Sequence, residues 1–188
     1  MPRRLLITAF EPFGGDAINA SASVLSALPD RIGDWMLHKA LLPVIFGAAG
    51  EQAIALAEAW KPEAILCLGQ AGGRKQVTPE WIAVNLQYAR IPDNAGNSPM
   101  DQPVVPEGPA AYFATLPVRA MAEAMEAAGF PAAVSYTAGA YVCNDLFYRL
   151  LHRFRDTDIR VDFIHVPAVS ELEPTLAALA VEQAIRIL

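Results

Sequence analysis

Apolar runs of strand length alternate with segments whose apolar residues recur at helical spacing, and this alternation constrains the fold more than any other feature of the chain. The clearest run is AILCLG, Ala64 to Gly69, which is continuously apolar, as strands covered on both faces are. Arg4 to Ala9, Trp35 to Leu42, Trp81 to Tyr88, Ala132 to Tyr136 and Val161 to Pro167 also read as strands. Between them, Ala20 to Leu28, Phe46 to Trp60, Val118 to Ala128 and the run CNDLFYRLLHRF from Cys143 read as helices, and Glu173 to Ile187 is a terminal one. The punctuation agrees. Pro43 ends a strand, Pro62 and Gly129 stop helices, and Pro174 sits in the first turn of the last helix, where its missing N–H costs nothing. Such a β-α-β-α order implies a largely parallel sheet between two layers of helices. The expectation is therefore an α/β fold, a three-layer α/β/α sandwich, in one domain spanning residues 1–188.

Composition removes several classes of function. Although 54% of residues are apolar, no run approaches the roughly 20 needed to cross a bilayer. The opening MPRRLLITAF pairs two arginines with a short apolar stretch, but Glu11-Pro12 ends it. It reads as a buried first strand, not a leader, and the protein as cytoplasmic. A net charge of −6 without a Lys/Arg cluster argues against nucleic acid or a membrane surface as partner. Two cysteines without secretory context make no disulfide framework. Neither H-E-x-x-H, paired cysteines, a P-loop lysine nor G-x-G-x-x-G occurs, so no metal and no cofactor is expected.

Two segments stand out against the regular pattern. Ile91 to Pro109, IPDNAGNSPMDQPVVPEGP, is too long and too rich in Pro, Gly and Asn for an idle connection, so it reads as a functional or interface loop. Cys143, in SYTAGAYVCND, lies near the first turn of a helix, where unpaired N–H groups and the dipole favour a thiolate.

A nucleophilic Cys143 needs a base, and the chain has three histidines. His152 lies on the same helix, roughly 13 Å along the axis, and cannot reach the sulfur. His38 falls inside a strand pattern and reads as structural. His165 ends the apolar strand VDFIH, at the carboxyl end where functional groups of parallel sheets gather. A carboxylate should hold the imidazole, and Glu11, Glu80, Asp93 and Asp145 all lie near strand ends. Spacing does not choose among them. Cys67, inside AILCLG, reads as a buried, inert thiol.

Four stretches resemble the pyroglutamyl peptidase I family of cysteine peptidases. They are LITAFEPFGGDAINAS, LCLGQAGGR with TPEWIAVNLQYARIPDNAGNSP, SYTAGAYVCNDLFYRLLH and FIHVPAVSE, in the family's order and over nearly the whole chain. The resemblance implies that Cys143 in YVCN is the nucleophile, His165 in IHVP the base and Glu80 in TPE the orienting carboxylate of a single catalytic domain. It places Phe10 and Phe13 of FEPFGG as aromatic pocket walls, Gln70 and Val142 as further lining, and Arg90 of ARIPDN near the active centre. The implied partners are small peptides with an N-terminal pyroglutamate. Their uncharged lactam calls for apolar walls and backbone hydrogen bonds. The resemblance also implies a homo-oligomer, a tetramer or dimer. Ala9 stands where the family usually has glycine, a change expected to lie beside the pocket. The competing expectation is an inactive relative that binds pyroglutamyl peptides or lactams. A thiol redox protein ranks below both, because no C-x-x-C pair exists.

Overall fold

A computed structural model describes residues 2–188. Along the chain, strand β1 (Arg3–Phe10) leads to helix α1 (Ala20–Ala27), then β2 (Arg31–Ile32), β3 (Trp35–Leu42) and α2 (Ala48–Trp60). Next come β4 (Ala64–Ala71), β5 (Thr78–Pro79), β6 (Ile82–Val84), β7 (Ala111–Phe113) and α3 (Val118–Ala127). The chain ends with α4 (Val142–Phe154), β8 (Arg160–Pro167) and α5 (Pro174–Arg186).

The main sheet has the order β2-β3-β1-β4-β8-β5. Its four long strands are parallel, and the two-residue β2 and β5 cap the edges antiparallel. One face carries Val24, Leu25, Met121, Met125, Val181 and Ile185 from α1, α3 and α5. The other carries Ala53, Ala57, Leu146, Phe147 and Leu150 from α2 and α4. The expected α/β/α sandwich is observed. The chain leaves β1 toward β3, then returns to place β4 on the other side of β1. Strand direction therefore reverses its spread at the β1/β4 carboxyl ends, where such sheets open a crevice.

Two expected strands are cut short for identifiable reasons. Of Trp81 to Tyr88, only β6 forms, and it pairs with β7 outside the main sheet. Side chains take over its backbone beyond that. Asn144 accepts from Val84 N and donates to the carbonyls of Val84 and Leu86. Asn85 similarly bridges to Val105 and Gly108. The segment Ala132 to Tyr136 makes only two isolated parallel bridges, Val77 with Ala132 and Glu80 with Ser135. Pro79 lies between the bridged residues and has no N–H to join them into a ladder.

Two carboxylates that spacing had left as catalytic candidates serve the scaffold. The helix expected from Phe46 begins at Ala48, because Phe46 N donates to Asp93 and Gly47 N to Asp145. Asp93 also accepts from Ala95 N, Asn97 N and Asn97 Nδ2. Burial alone would raise its pKa, but the donors from Asn97, Phe46 and Ala95 hold it below the ordinary value. The long loop is thus wound around one buried carboxylate.

Asp162 is the exception in the core. It is fully buried on β8 with neither carboxyl oxygen hydrogen-bonded. Burial raises its pKa well above the usual value, opposed by the nearby Phe163 backbone N–H, which lies outside hydrogen-bonding geometry, and reinforced by the Glu80 charge. A carboxyl whose folded pKa is raised costs no stability below its unfolded pKa. The cost grows as pH rises above that point, because only the unfolded chain gives up the proton, and it levels off above the folded pKa. Asp162→Asn should therefore be more stable than the parent at pH 7. The gain should vanish near pH 4 in urea titrations at both pH values. Equal differences at the two pH values would mean that Asp162 is ionised in the fold.

Candidate active site

Three parallel strands and one helix deliver the site. Phe10 ends β1, Gly69 and Gln70 lie near the end of β4, and His165 lies near the end of β8. Val142 and Cys143 open α4. Gly69 and His165 are register partners on adjacent strands, so their side-chain positions share one face about 4.8 Å apart. Gly69 leaves its place empty and the thiol fills it. A Cβ on Gly69 would lie 3.0 Å from Cys143 Sγ. The sulfur thus packs where a Gly69 side chain would stand, on the strand beside His165, and Cys143 and His165 line one cavity.

His165 is 4% exposed and Glu80 is fully buried. His165 Nδ1 donates to Glu80 Oε1 at 2.7 Å, which leaves Nε2 as the nitrogen with a free lone pair. Glu80 is held in place by its own N–H to the Phe163 carbonyl at 2.8 Å. The Phe163 ring lies 4.8 Å from the imidazole. Of the carboxylates left open by spacing, Glu80 alone contacts His165. Glu11 is exposed, and Asp93 and Asp145 hold the start of α2. His38 packs on Trp60 at 5.1 Å, and His152 Nδ1 pairs with the Tyr112 hydroxyl at 2.8 Å. Neither borders the cavity.

The acidified thiol expected from the helix start is corrected. Burial drives the Cys143 pKa up to about 12, reinforced by the Glu80 and Cys67 charges. Arg74 and the backbone N–H of Cys143 only partly oppose this. Desolvation outweighs the helix-terminus effect because the sulfur is packed against Gly69 beneath the first turn, although the residue as a whole is only half-buried at the cavity wall. Cys67 is fully buried and likewise driven up to about 12 by burial, in keeping with an inert thiol.

The cavity has a volume of about 420 Å³. Phe10, Phe13, Gln70, Arg90 and Val142 all border it. Phe13 leans on Tyr141 at 6.2 Å, and Tyr141 meets Phe46 edge-on at 5.3 Å. Gln70 Oε1 accepts from Ala20 N at 2.7 Å, which fixes the side chain. The long loop reaches the site, because Ile91 borders the cavity and the Tyr141 hydroxyl donates to the Pro92 carbonyl. Ala9, in contrast, packs with α1 and α5 on the opposite face of the sheet. Its methyl group does not alter the pocket wall.

Sequence reasoning passed over three residues. Tyr141 precedes Cys143 and walls the cavity. Gly69 carries the signal of a glycine inside an apolar strand, a mark of close approach. Arg74 follows the Gly72-Gly73 turn and donates from Nη1 to Glu80 Oε1 at 2.6 Å.

The chain is similar to known proteins over nearly its whole length. A sequence profile described as pyroglutamyl peptidase matches residues 3–185. The pyrrolidone-carboxylate peptidase of Enterococcus faecalis is 44% identical over 95% of this chain and 86% of its own. That of Escherichia fergusonii is also 44% identical, over 97% and 89%. Among solved structures, pyroglutamyl peptidase I from Bacillus amyloliquefaciens superposes with a TM-score of 0.93 at 37% identity, covering 98% of this chain and 95% of that one. Pyrrolidone carboxyl peptidase from Thermococcus litoralis gives 0.92 at 34% identity, covering 98% and 92%.

Proposed function

The chain belongs to the pyroglutamyl peptidase family, and on that premise we propose that it hydrolyses the bond after an N-terminal pyroglutamyl residue through Cys143, His165 and Glu80. The observation that carries this reading is the 2.7 Å bond from His165 Nδ1 to Glu80 Oε1 beside a cavity that Cys143 and His165 share.

The raised thiol pKa determines how the reaction begins. At neutral pH Cys143 rests as a thiol, so attack and proton loss are coupled. His165 Nε2 takes the proton as the sulfur adds to the carbonyl outside the lactam ring. Glu80 stabilises the imidazolium and keeps its tautomer. The N–H groups of the first turn of α4 have no side-chain cap and are available to the developing oxyanion, with Arg90 at the rim. His165 returns the proton to the leaving amine as the C–N bond breaks. Water, deprotonated by His165, then cleaves the pyroglutamyl thioester and regenerates the thiol.

Substrate choice follows from the walls. None of the residues bordering the cavity is a carboxylate, so the ammonium of an N-terminal proline would find no counter-charge, whereas a lactam needs none. Small pyroglutamyl peptides fit as partners. The same reading takes the working particle as a cytoplasmic homo-oligomer, supported by exposed Met100, Phe113 and Tyr136.

The test uses a pyroglutamyl dipeptide and its prolyl counterpart, with and without iodoacetamide. Free pyroglutamate should appear, the prolyl peptide should react at least about 100-fold more slowly, and alkylation of Cys143 should stop release. Undiminished release after complete alkylation of Cys143 would reject the reading.

A further inference from the structure

Building on the Cys143–His165–Glu80 reading, we propose that Arg74 is a positioning residue for this reaction: its guanidinium holds the Glu80 carboxylate so that one oxygen stays on His165 Nδ1 and Nε2 stays turned to the thiol. The two donors converge on a single atom. Arg74 Nη1 reaches Glu80 Oε1 at 2.6 Å and His165 Nδ1 reaches the same oxygen at 2.7 Å. Glu80 Oε2 is buried without any partner. Resistance to rotation of the carboxylate therefore rests on Oε1 alone.

The guanidinium is itself anchored on both sides of the site. Nη1 also donates to Thr78 Oγ1 at 2.6 Å, and Nη2 donates to the Thr137 carbonyl at 2.9 Å. Thr78 is the register partner of His165 across β5 and β8. Thr137 lies in the turn that feeds α4 and Cys143. One planar fork thus links the strand beside the base to the turn before the nucleophile, a geometry that a lysine ammonium cannot span.

An exposed ion pair would carry little weight, but the Glu80 side chain is fully buried and that of Arg74 is 29% exposed. Without Arg74, the carboxylate would keep only the imidazole and would be free to exchange its oxygens. The other ionisable groups around the site are the Cys143 and Cys67 thiols, the Tyr88 and Tyr141 phenols, Asp162 and Arg90. None of them hydrogen-bonds to Glu80 among the described residues.

A double-mutant cycle tests this. Arg74→Met should lower kcat on the order of 100-fold, with KM for a pyroglutamyl amide changed by less than about 3-fold. Arg74→Lys should recover part of the loss. In a Glu80→Gln background, Arg74→Met should change kcat by less than about 3-fold, because its route to the imidazole is already gone. The downfield proton resonance of His165 Nδ1–H should be sharp in the parent and broadened in Arg74→Met. If Arg74→Met does not fold, Arg74→Gln runs the same cycle. Additive losses, or an unmoved proton resonance, would assign Arg74 a structural role only and overturn the proposal. A crippled Glu80→Gln beside a fully active Arg74→Met would also overturn it, leaving the triad reading intact. An unimpaired Glu80→Gln would remove both.

Discussion

Cys143→Ala loses turnover of a pyroglutamyl chromogenic amide by on the order of 10⁴-fold or more, and its thermal midpoint stays close to that of the parent. The loss is large because the proposed acyl bond is to Cys143, and none of the hydroxyls that border the cavity, on Tyr88, Thr137 and Tyr141, hydrogen-bonds to His165 among the described residues. The unchanged stability follows from the environment of the sulfur. Cys143 has no hydrogen-bonded side-chain partner among the described residues, and it only fills the space that Gly69 leaves. Its thiol is protonated at neutral pH, since burial drives the pKa up to about 12. Removing it therefore strands no buried charge. A variant that keeps measurable kcat would exclude Cys143 as nucleophile. One that loses kcat together with several degrees of thermal midpoint would assign the sulfur a packing role.

Gly69→Ala carries the second large effect. The added methyl would sit 2.7 Å from Phe163 Cζ, 2.9 Å from Phe163 Cε1 and 3.0 Å from Cys143 Sγ. Phe163 is fully buried between Phe10, Phe147 and His165, so its ring cannot yield without moving the imidazole. Overpacking of this kind costs about 1–3 kcal/mol. The larger consequence is kinetic, because displacing the sulfur by about 1 Å from the imidazole costs on the order of 100-fold in rate. Gly69→Ala should therefore reduce kcat far more than its stability loss explains, with KM for the amide little changed. Urea titration alongside steady-state kinetics checks this. Full kcat in the folded variant would show that the thiol is not seated against Gly69.

The two faces of the sheet were legible in the sequence because burial on both sides leaves continuous apolar runs such as AILCLG. Short elements were not. The segment Ala132 to Tyr136 and strand β6 owe their limits to Pro79 and to the side chains of Asn85 and Asn144, which lie far apart in the chain. His165 could be reached by elimination among three histidines. Glu80 could not be separated by spacing from Asp93 and Asp145, since the sequence pattern sets all three beside strand ends and all three are buried in the fold. Only contacts distinguish them: two bind the start of α2, and one binds the imidazole. The direction of the thiol pKa was misread for a related reason. A helix start is visible in sequence, but the depth at which its first turn presses on the sheet is not. Arg74 escaped notice because a lone arginine after a glycine pair carries no signal until its fork is seen on Glu80.

The central claim is that Cys143 carries the pyroglutamyl group during turnover. Rapid acid quenching during reaction with a pyroglutamyl ester, chosen so that deacylation limits the rate, tests it most directly when the quenched protein is digested and mapped by mass spectrometry. One pyroglutamyl group on Cys143, absent in Cys143→Ala, is the predicted result. A burst of released alcohol with the acyl group on another side chain, or on none, would contradict it.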